Sequence, residues 1–339
     1  MQSQVASPLV SILIPVYNRA GIVLDSLKSA VNQTYKDIEV VVVDNHSTDN
    51  TYEVIQKFAQ SHQNVRPYQN NSNLGAVRNW IKCVEYSKAE YVQILYSDDM
   101  LSIDSIEKKV PWLMEHKDVG FVLTGTEVFD AETTEKIHHL IVGNTGIYDT
   151  KKFIDGSLLR APFPKSPGCV MYRRKDLLKN ILTDIPNKFN IDFNIKGAGV
   201  DKLISMLTAT SYSKFAYIAE RLSLFRRHKD SITISSDSTD LSLLYNMAYA
   251  YYVEEHLSDE RVAKEFNMCL DEFLRKRGRQ NSYGISSVRD FYLKLSKSAN
   301  RRLLWSLFIK HLIPSYLREK RYLPKKCFNL TNYAGQVVK

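Results

Sequence analysis

Strand-like and helix-like segments alternate through the first hundred residues, and this alternation excludes most folds. Val10–Ile14 and Ile38–Val43 are continuous apolar runs rich in β-branched residues. Shorter strand-like segments follow at Val65–Tyr68 and Tyr91–Leu95. Between them, Ile22–Asn32, Thr51–Ser61 and Ala76–Tyr86 carry apolar residues at helical spacing, with Asp49 as a plausible cap for the second. Strands without a polar face must be covered on both sides, so the pattern predicts an α/β domain around a mostly parallel sheet. Ligands of such sheets bind beyond the C-terminal strand ends. The candidate loops are therefore Pro15–Arg19, Asp44–Asp49, Asn70–Asn79 and Tyr96–Leu101.

Each loop carries residues with a chemical use and a plainer alternative. Asp98 and Asp99 follow an apolar strand directly. Adjacent carboxylates repel unless solvated or neutralised, and a hard divalent ion takes one or two carboxylates together with substrate phosphates. The pair reads equally as the cap of a helix over Ile103–Met114. Asp44 ends the second strand, where a carboxylate can accept from a base N–H; capping is the alternative. Pro15 makes a rigid turn, and Tyr17 can stack on a planar base or simply lie on the surface. Gly75 permits a tight turn before Arg78, which sits early in a helix whose free N–H groups favour anions.

Taken together, "SILIPVYNR", "VVVVDNHSTDNT", "NLGAVRNW" and "YVQILYSDD" resemble the nucleotide-binding half of family 2 inverting glycosyltransferases. The match is dense and in order from Val10 to Leu101. It implies the GT-A fold, a nucleotide-sugar donor (a UDP-sugar) and Mg²⁺ or Mn²⁺. By the same resemblance, Pro15, Tyr17 and Asn18 contact the nucleoside, Asp44 binds the base and Arg78 lies near base or phosphates. Asp98 faces the ribose and Asp99 holds the metal. Downstream, "SPGCVMYRR" resembles the sugar side of the pocket, and Gly197–Thr233 resembles the acceptor side. Asp201, at the start of a predicted helix, falls where the family carries its general base. His228 falls where the family often places a metal or phosphate ligand. Arg226 and Arg227 are either diphosphate contacts or surface charge. His138 and His139 have no matching carboxylates. Val200 precedes Asp201 where many relatives carry an acid, and no Gln-x-x-Arg-Trp motif follows, so one-sugar, non-processive addition is expected.

The charge is uneven. The chain of 339 residues carries net +9, yet the stretch Lys264–Lys326 alone carries +11 and the remainder −2. Arg301–Ile313 mixes Trp305, Phe308 and leucines with cations, a pattern suited to an anionic bilayer surface or to a packed helix with a solvated basic face. No run approaches the roughly 18 apolar residues of a membrane span. A boundary in the small, polar stretch Ser235–Thr239 divides a catalytic domain, 1–235, from a basic helical region, 236–339. Cys83, Cys169, Cys269 and Cys327 are too dispersed for a zinc cluster or a disulfide framework, and the first residues lack a secretory pattern. The expectation is a cytoplasmic enzyme, peripheral at the inner membrane face, acting on a lipid-linked surface saccharide such as O-antigen or capsule. A nucleotidyltransferase would need a Gly-rich, Lys-bearing loop after the first strand, which Pro15–Arg19 lacks. A nucleic-acid-binding protein would interleave basic and aromatic residues, which this chain keeps apart, so nucleic acid is not an expected partner.

Overall fold

A computed structural model of the chain describes residues 7–162, 164–228, 231, 238–278 and 281–294. β1 (Val10–Val16), β2 (Ile38–Asp44), β3 (Val65–Gln69) and β4 (Tyr91–Ile94) pair in parallel in the order β3-β2-β1-β4. Every residue of β1 and β2 is buried, which accounts for their mainly apolar sequence. The pleat sends Leu13, Val41 and Val43 into one core and Ile12, Ile14, Val40 and Val42 into the other. α1 (Val23–Val31) and α2 (Thr51–Ala59) cover the second face through Val23, Leu27 and Ile55. α3 (Ala76–Tyr86) covers the first through Val77, Trp80 and Val84. Each such side chain contributes about 1.5–3 kcal/mol by leaving water.

After β4 the chain makes the short β5 (Met100–Leu101), α4 (Ser105–Glu115) and β6 (Val119–Asp130). β7 (Lys136–Leu140), β8 (Gly146–Asp149) and α5 (Thr150–Leu158) follow. A 3-10 turn (Pro167–Cys169) then leads into β9 (Val170–Arg173), α6 (Arg174–Asn180), α7 (Val200–Ser211) and β10 (Lys214–Arg227). The sheet continues β4-β9-β6-β10-β5, with β7 on β6 and β8 on β10. β9 runs antiparallel to both neighbours, whereas β10 is parallel to β6. This mixed α/β sheet flanked by helices is the GT-A architecture that the sequence predicts. One difference lies in β10: the two expected strands, Phe215–Ile218 and Leu222–Arg226, form one strand with register shifts between Ile218 and Ser223.

α8 (Ser238–His256) and α9 (Glu260–Phe273) pack on the sheet's first face. Leu244, Met247 and Ala248 of α8 share a core with Leu203, Ile204 and Leu207 of α7. The predicted helix Val288–Ser296 is a short 3-10 segment, Val288–Phe291. Among the described residues no helix is long and apolar enough to cross a membrane. The basic segment Arg301–Ile313 lies outside the described residues.

Candidate active site

Parallel register brings the ends of β1, β2, β3 and β4 to one edge, and the four loops converge there. Asp44 is fully buried. Its Oδ2 accepts from the Ser47 amide (3.0 Å) and from Gln69 Nε2 (2.9 Å), and its Oδ1 accepts from the Ser47 hydroxyl. The carboxylate thus holds the 44–49 turn and is itself out of solvent. Pro15 is not in a turn either. It lies buried within β1, in register with Val43 and beyond the last β1–β4 pair, Leu13–Ile94, where a missing N–H is tolerated. Tyr17, 39% exposed, is the aromatic that the loop does present. Asn18 takes positive φ (+51°) and joins two loops. Its Oδ1 accepts from the Thr48 amide at 2.8 Å, and its own amide donates to Ser47 Oγ at 2.8 Å.

The expected anion site at the start of α3 is occupied by the protein itself. The amides of Ala76 and Val77 donate to the carbonyls of Ile195 and Asn194 at 3.2 Å each, and that of Arg78 donates to Asn194 Oδ1 at 3.0 Å. Asn194 Nδ2 donates to the Leu74 carbonyl at 2.8 Å. Gly75 takes φ +82° beneath this clamp, where a Cβ would lie 2.5 Å from Asn194 Nδ2. The orphan amides of the helix terminus are therefore satisfied, while the Arg78 side chain stays exposed.

The two carboxylates of the acidic loop have different partners. His228 Nε2 stands 3.0 Å from Asp98 Oδ2, so the histidine meets Asp98 rather than Asp99. Asp99 Oδ1 accepts from the Arg226 amide at 2.9 Å. Desolvation, then the charge of Asp98, raise the Asp99 pKa well above the usual carboxylate range, against the pull of the Arg226 amide and guanidinium. Arg226 is neither a surface charge nor a free diphosphate contact. Its side chain is 9% exposed, pairs with Asp25 of α1 at 2.6 Å and donates from Nε to the Asp98 carbonyl at 3.0 Å. It braces the acidic loop between α1 and β10. Arg227 pairs with Asp130 at 2.8 Å. A cavity of about 440 Å³ opens here, lined by Asn18, Arg19, Asp49, Asp130, Arg227 and His228 among others.

Asp98 and His228 offer a carboxylate oxygen and an imidazole nitrogen. Among the described residues no group of three or more His, Cys, Asp or Glu could hold a metal by itself. Such an incomplete set fits a hard divalent ion that completes its shell with phosphate oxygens and water.

The second acidic station is Asp201, in the first turn of α7. Gly197 (φ +69°) brings the chain against Trp80, where a Cβ would lie 2.3 Å from the indole. Asp201 Oδ1 accepts from the Gly199 amide at 2.9 Å, and Lys202 Nζ lies 3.4 Å from Oδ2. Tyrosines surround it. Burial, then the Asp201 charge, raise Tyr96; the Asp201 charge, then burial, raise Tyr245; burial, then Asp201, raise Tyr249. Tyr96 is also raised by Asp99, and its ring centroid lies 5.9 Å from that of Trp80, the ring against which Gly197 packs. Tyr245 and Tyr249 belong to α8, where helical periodicity in the sequence carries no sign of a site. His138 and His139, exposed on β7, take no part.

The chain is similar to known glycosyltransferases. The glycosyl transferase family 2 model matches residues 11–180. An uncharacterized glycosyltransferase of Rickettsia typhi is 31% identical over 198 residues, covering 58% of this chain and 59% of that protein. The putative teichuronic acid biosynthesis glycosyltransferase TuaG of Bacillus subtilis is 30% identical over 127 residues, 38% of this chain and 50% of that protein. Chondroitin synthase of Pasteurella multocida is 37% identical over 118 residues, 34% of this chain and 12% of that protein. The matches thus span less than two thirds of the length of these relatives. S. aureus TarS 1–349, in complex with UDP-GlcNAc, superposes with a TM-score of 0.61 at 17% identity over 88% of this chain and 79% of that one. With half of its length matched by the family model, the chain belongs to glycosyl transferase family 2.

Proposed function

We propose that the chain is an inverting, metal-dependent glycosyltransferase that moves one sugar from a UDP-sugar to a saccharide hydroxyl in bacterial surface-polysaccharide synthesis. The observation that carries this reading is the convergence of the strand-end loops at one sheet edge, where Asp98 meets His228 at 3.0 Å beside the Asn18 loop. Family membership supports sugar transfer, and the UDP-GlcNAc complex of TarS supports a nucleotide-sugar donor. Tyr17 and Asn18 border the nucleoside, and Arg78, free of the helix terminus, reaches toward the phosphates. Asp98 and His228 would hold Mg²⁺ or Mn²⁺, whose chemistry is to neutralise charge on the departing diphosphate. Asp201 takes the proton of the acceptor hydroxyl while that oxygen bonds to the anomeric carbon and the bond to diphosphate breaks on the opposite face. The Gly199 amide fixes the carboxylate in place for that transfer. Arg226 keeps the acidic loop in register with His228.

The acceptor in this reading is lipid-linked, and the basic segment after Lys264 holds the enzyme on the anionic inner face of the membrane. Deleting residues 301–339 should then release it from vesicles containing phosphatidylglycerol, and unchanged co-sedimentation would refute the membrane part. The transfer itself is tested by hydrolysis or transfer from a UDP-sugar panel with Mn²⁺. Turnover should require both Asp98 and Asp201; full turnover without either would overturn the assignment.

A further inference from the structure

Helix α1 does more than cover the sheet. Val23, Leu27 and Ala30 serve that purpose. Ser26, on the same helix, and Gln33, just past its end, are buried as well, and burying a polar group costs free energy unless it is bonded. Their partners lie in the acidic loop and the residues after it. Ser26 Oγ donates to the Asp99 carbonyl at 2.6 Å. Ser29, one turn on and on the same face, accepts from the Leu101 amide at 3.2 Å. Gln33 Nε2 donates to the Ser102 carbonyl at 2.8 Å, and its Oε1 accepts from the Ile106 amide at 3.0 Å. A polar ladder thus runs beside the acidic loop and pairs its main-chain groups in order, as buried main-chain groups require.

Asp25, the neighbour of Ser26, reaches the other side of the site. Its carboxylate pairs with Arg226 at 2.6 Å. The same guanidinium lies 5.1 Å from the Phe129 ring centroid and donates from Nε to the Asp98 carbonyl at 3.0 Å. Arg226 belongs to β10, two residues before His228. Two adjacent residues of α1 therefore reach both contributors to the Asp98–His228 pair. Ser26 holds the carbonyl of the residue after Asp98, and Asp25 holds the strand that ends in His228. The pair joins positions 130 residues apart, so its 3.0 Å separation depends on how loop and strand are registered. Ligands grip an ion well when outer partners set their geometry before it arrives.

We propose that Asp25 and Ser26 are positioning residues for the Asp98–His228 pair. They set the spacing at which the acidic loop and the end of β10 hold one divalent cation, whereas Gln33 anchors only the far part of the loop. This rests on the reading of Asp98 and His228 as metal ligands. Both residues act through others, Ser26 through the main chain and Asp25 through Arg226. The plainer alternative for Asp25 is an acid in the first turn of a helix, favoured by the macrodipole alone. Binding of Mn²⁺ in the presence of UDP, followed by the electron paramagnetic resonance of free Mn²⁺, separates the two. Ser26→Ala and Asp25→Ala should each weaken it by about tenfold, the lower end of what support for a metal ligand contributes. Asp25→Glu keeps a carboxylate for Arg226 and should recover most of the loss.

Gln33→Ala is the control for stability. It should lower the urea midpoint at least as much as Ser26→Ala, because it strips two main-chain groups instead of one, yet leave Mn²⁺ affinity within about twofold. Mn²⁺ affinity that merely follows the urea midpoint, Gln33→Ala included, would make α1 a plain support and overturn the proposal. Loss of Mn²⁺ binding in Asp98→Asn with none in Asp25→Ala and Ser26→Ala would overturn it too, and leave the metal reading standing. Unchanged Mn²⁺ binding in Asp98→Asn would remove the metal reading and the proposal with it. Asp25 is 46% exposed in its side chain, so Asp25→Ala and Asp25→Glu decide the matter even where Ser26→Ala does not fold.

Discussion

The two halves of the candidate site are built in opposite ways. On the donor side, buried polar side chains are spent on one another. Asp44 is held by Ser47 and Gln69, Asn45 donates to Asn73 Oδ1 at 2.9 Å and accepts from the Leu74 amide at 2.9 Å, and Asn79 donates to the Val43 carbonyl at 3.0 Å. These bonds tie the 44–49 and 70–79 loops into one rigid rim. On the proposed acceptor side, Asp201 accepts from the Gly199 amide and lies near tyrosines of α8, with Lys202 Nζ 3.4 Å away. A satisfied hydrogen-bond network fixes shape, whereas a carboxylate with few donors keeps lone pairs open to a substrate hydroxyl. In the proposed reading the first suits a pocket that holds the donor and the second a base.

The largest expected effect separates the halves. Asp201→Asn should lower kcat by about 10²–10⁴, the usual contribution of a positioned base, while UDP affinity by calorimetry stays within about twofold. A parallel loss of UDP affinity would mean that the halves are one unit.

The donor half contains its own sharper comparison. Asp98→Asn should weaken Mn²⁺-dependent UDP binding by about 10–100-fold, a typical cost for disturbing a metal ligand or its support. Asp99→Asn should cost far less, because Asp99 is held by the Arg226 amide rather than by His228. The reverse order would make Asp99 the ligand.

Asn194 links the halves, since the segment before α7 caps α3 through it. Asn194→Ala strips the Arg78 amide and the Leu74 carbonyl of their partners and should lower stability by about 1–3 kcal/mol in urea unfolding.

The smallest effect concerns Lys109, fully buried behind the site with its Nζ 2.8 Å from Gln93 Oε1. Burial pushes its pKa down to about 7, from 10.5 when unfolded. The unfolded chain then binds more protons between those values, so stability should rise with pH above 7 as the penalty fades. The gain between pH 7 and 9 should be on the order of 1–2 kcal/mol, and Lys109→Met should flatten it.

How much was legible beforehand follows the same division. α3 spans Ala76–Tyr86 as its periodicity predicts, and β1 and β2 follow their apolar runs, because burial on both faces leaves a local mark. The exposed, polar β7 and the two-residue β5 leave none; pairing with β6 and β10 creates them. The partner of His228 depends on where β10 passes the acidic loop, 130 residues away in the chain. The capping of α3 depends on Asn194, 116 residues beyond Arg78. Tyr245 and Tyr249 come near Asp201 only through packing of α8 on α7. Motif spacing therefore reveals the donor loops, while the roles of Asp44, Pro15 and Arg226 and the make-up of the acceptor side are properties of the packed molecule.

The central claim, a single displacement with Asp201 as base, is tested most directly by the stereochemistry of the product. Proton NMR of the anomeric signal during transfer from a UDP-α-sugar should show a β-linked product from its first appearance. An α-linked first product would mean retention, which a single back-side displacement cannot give, and would contradict the account.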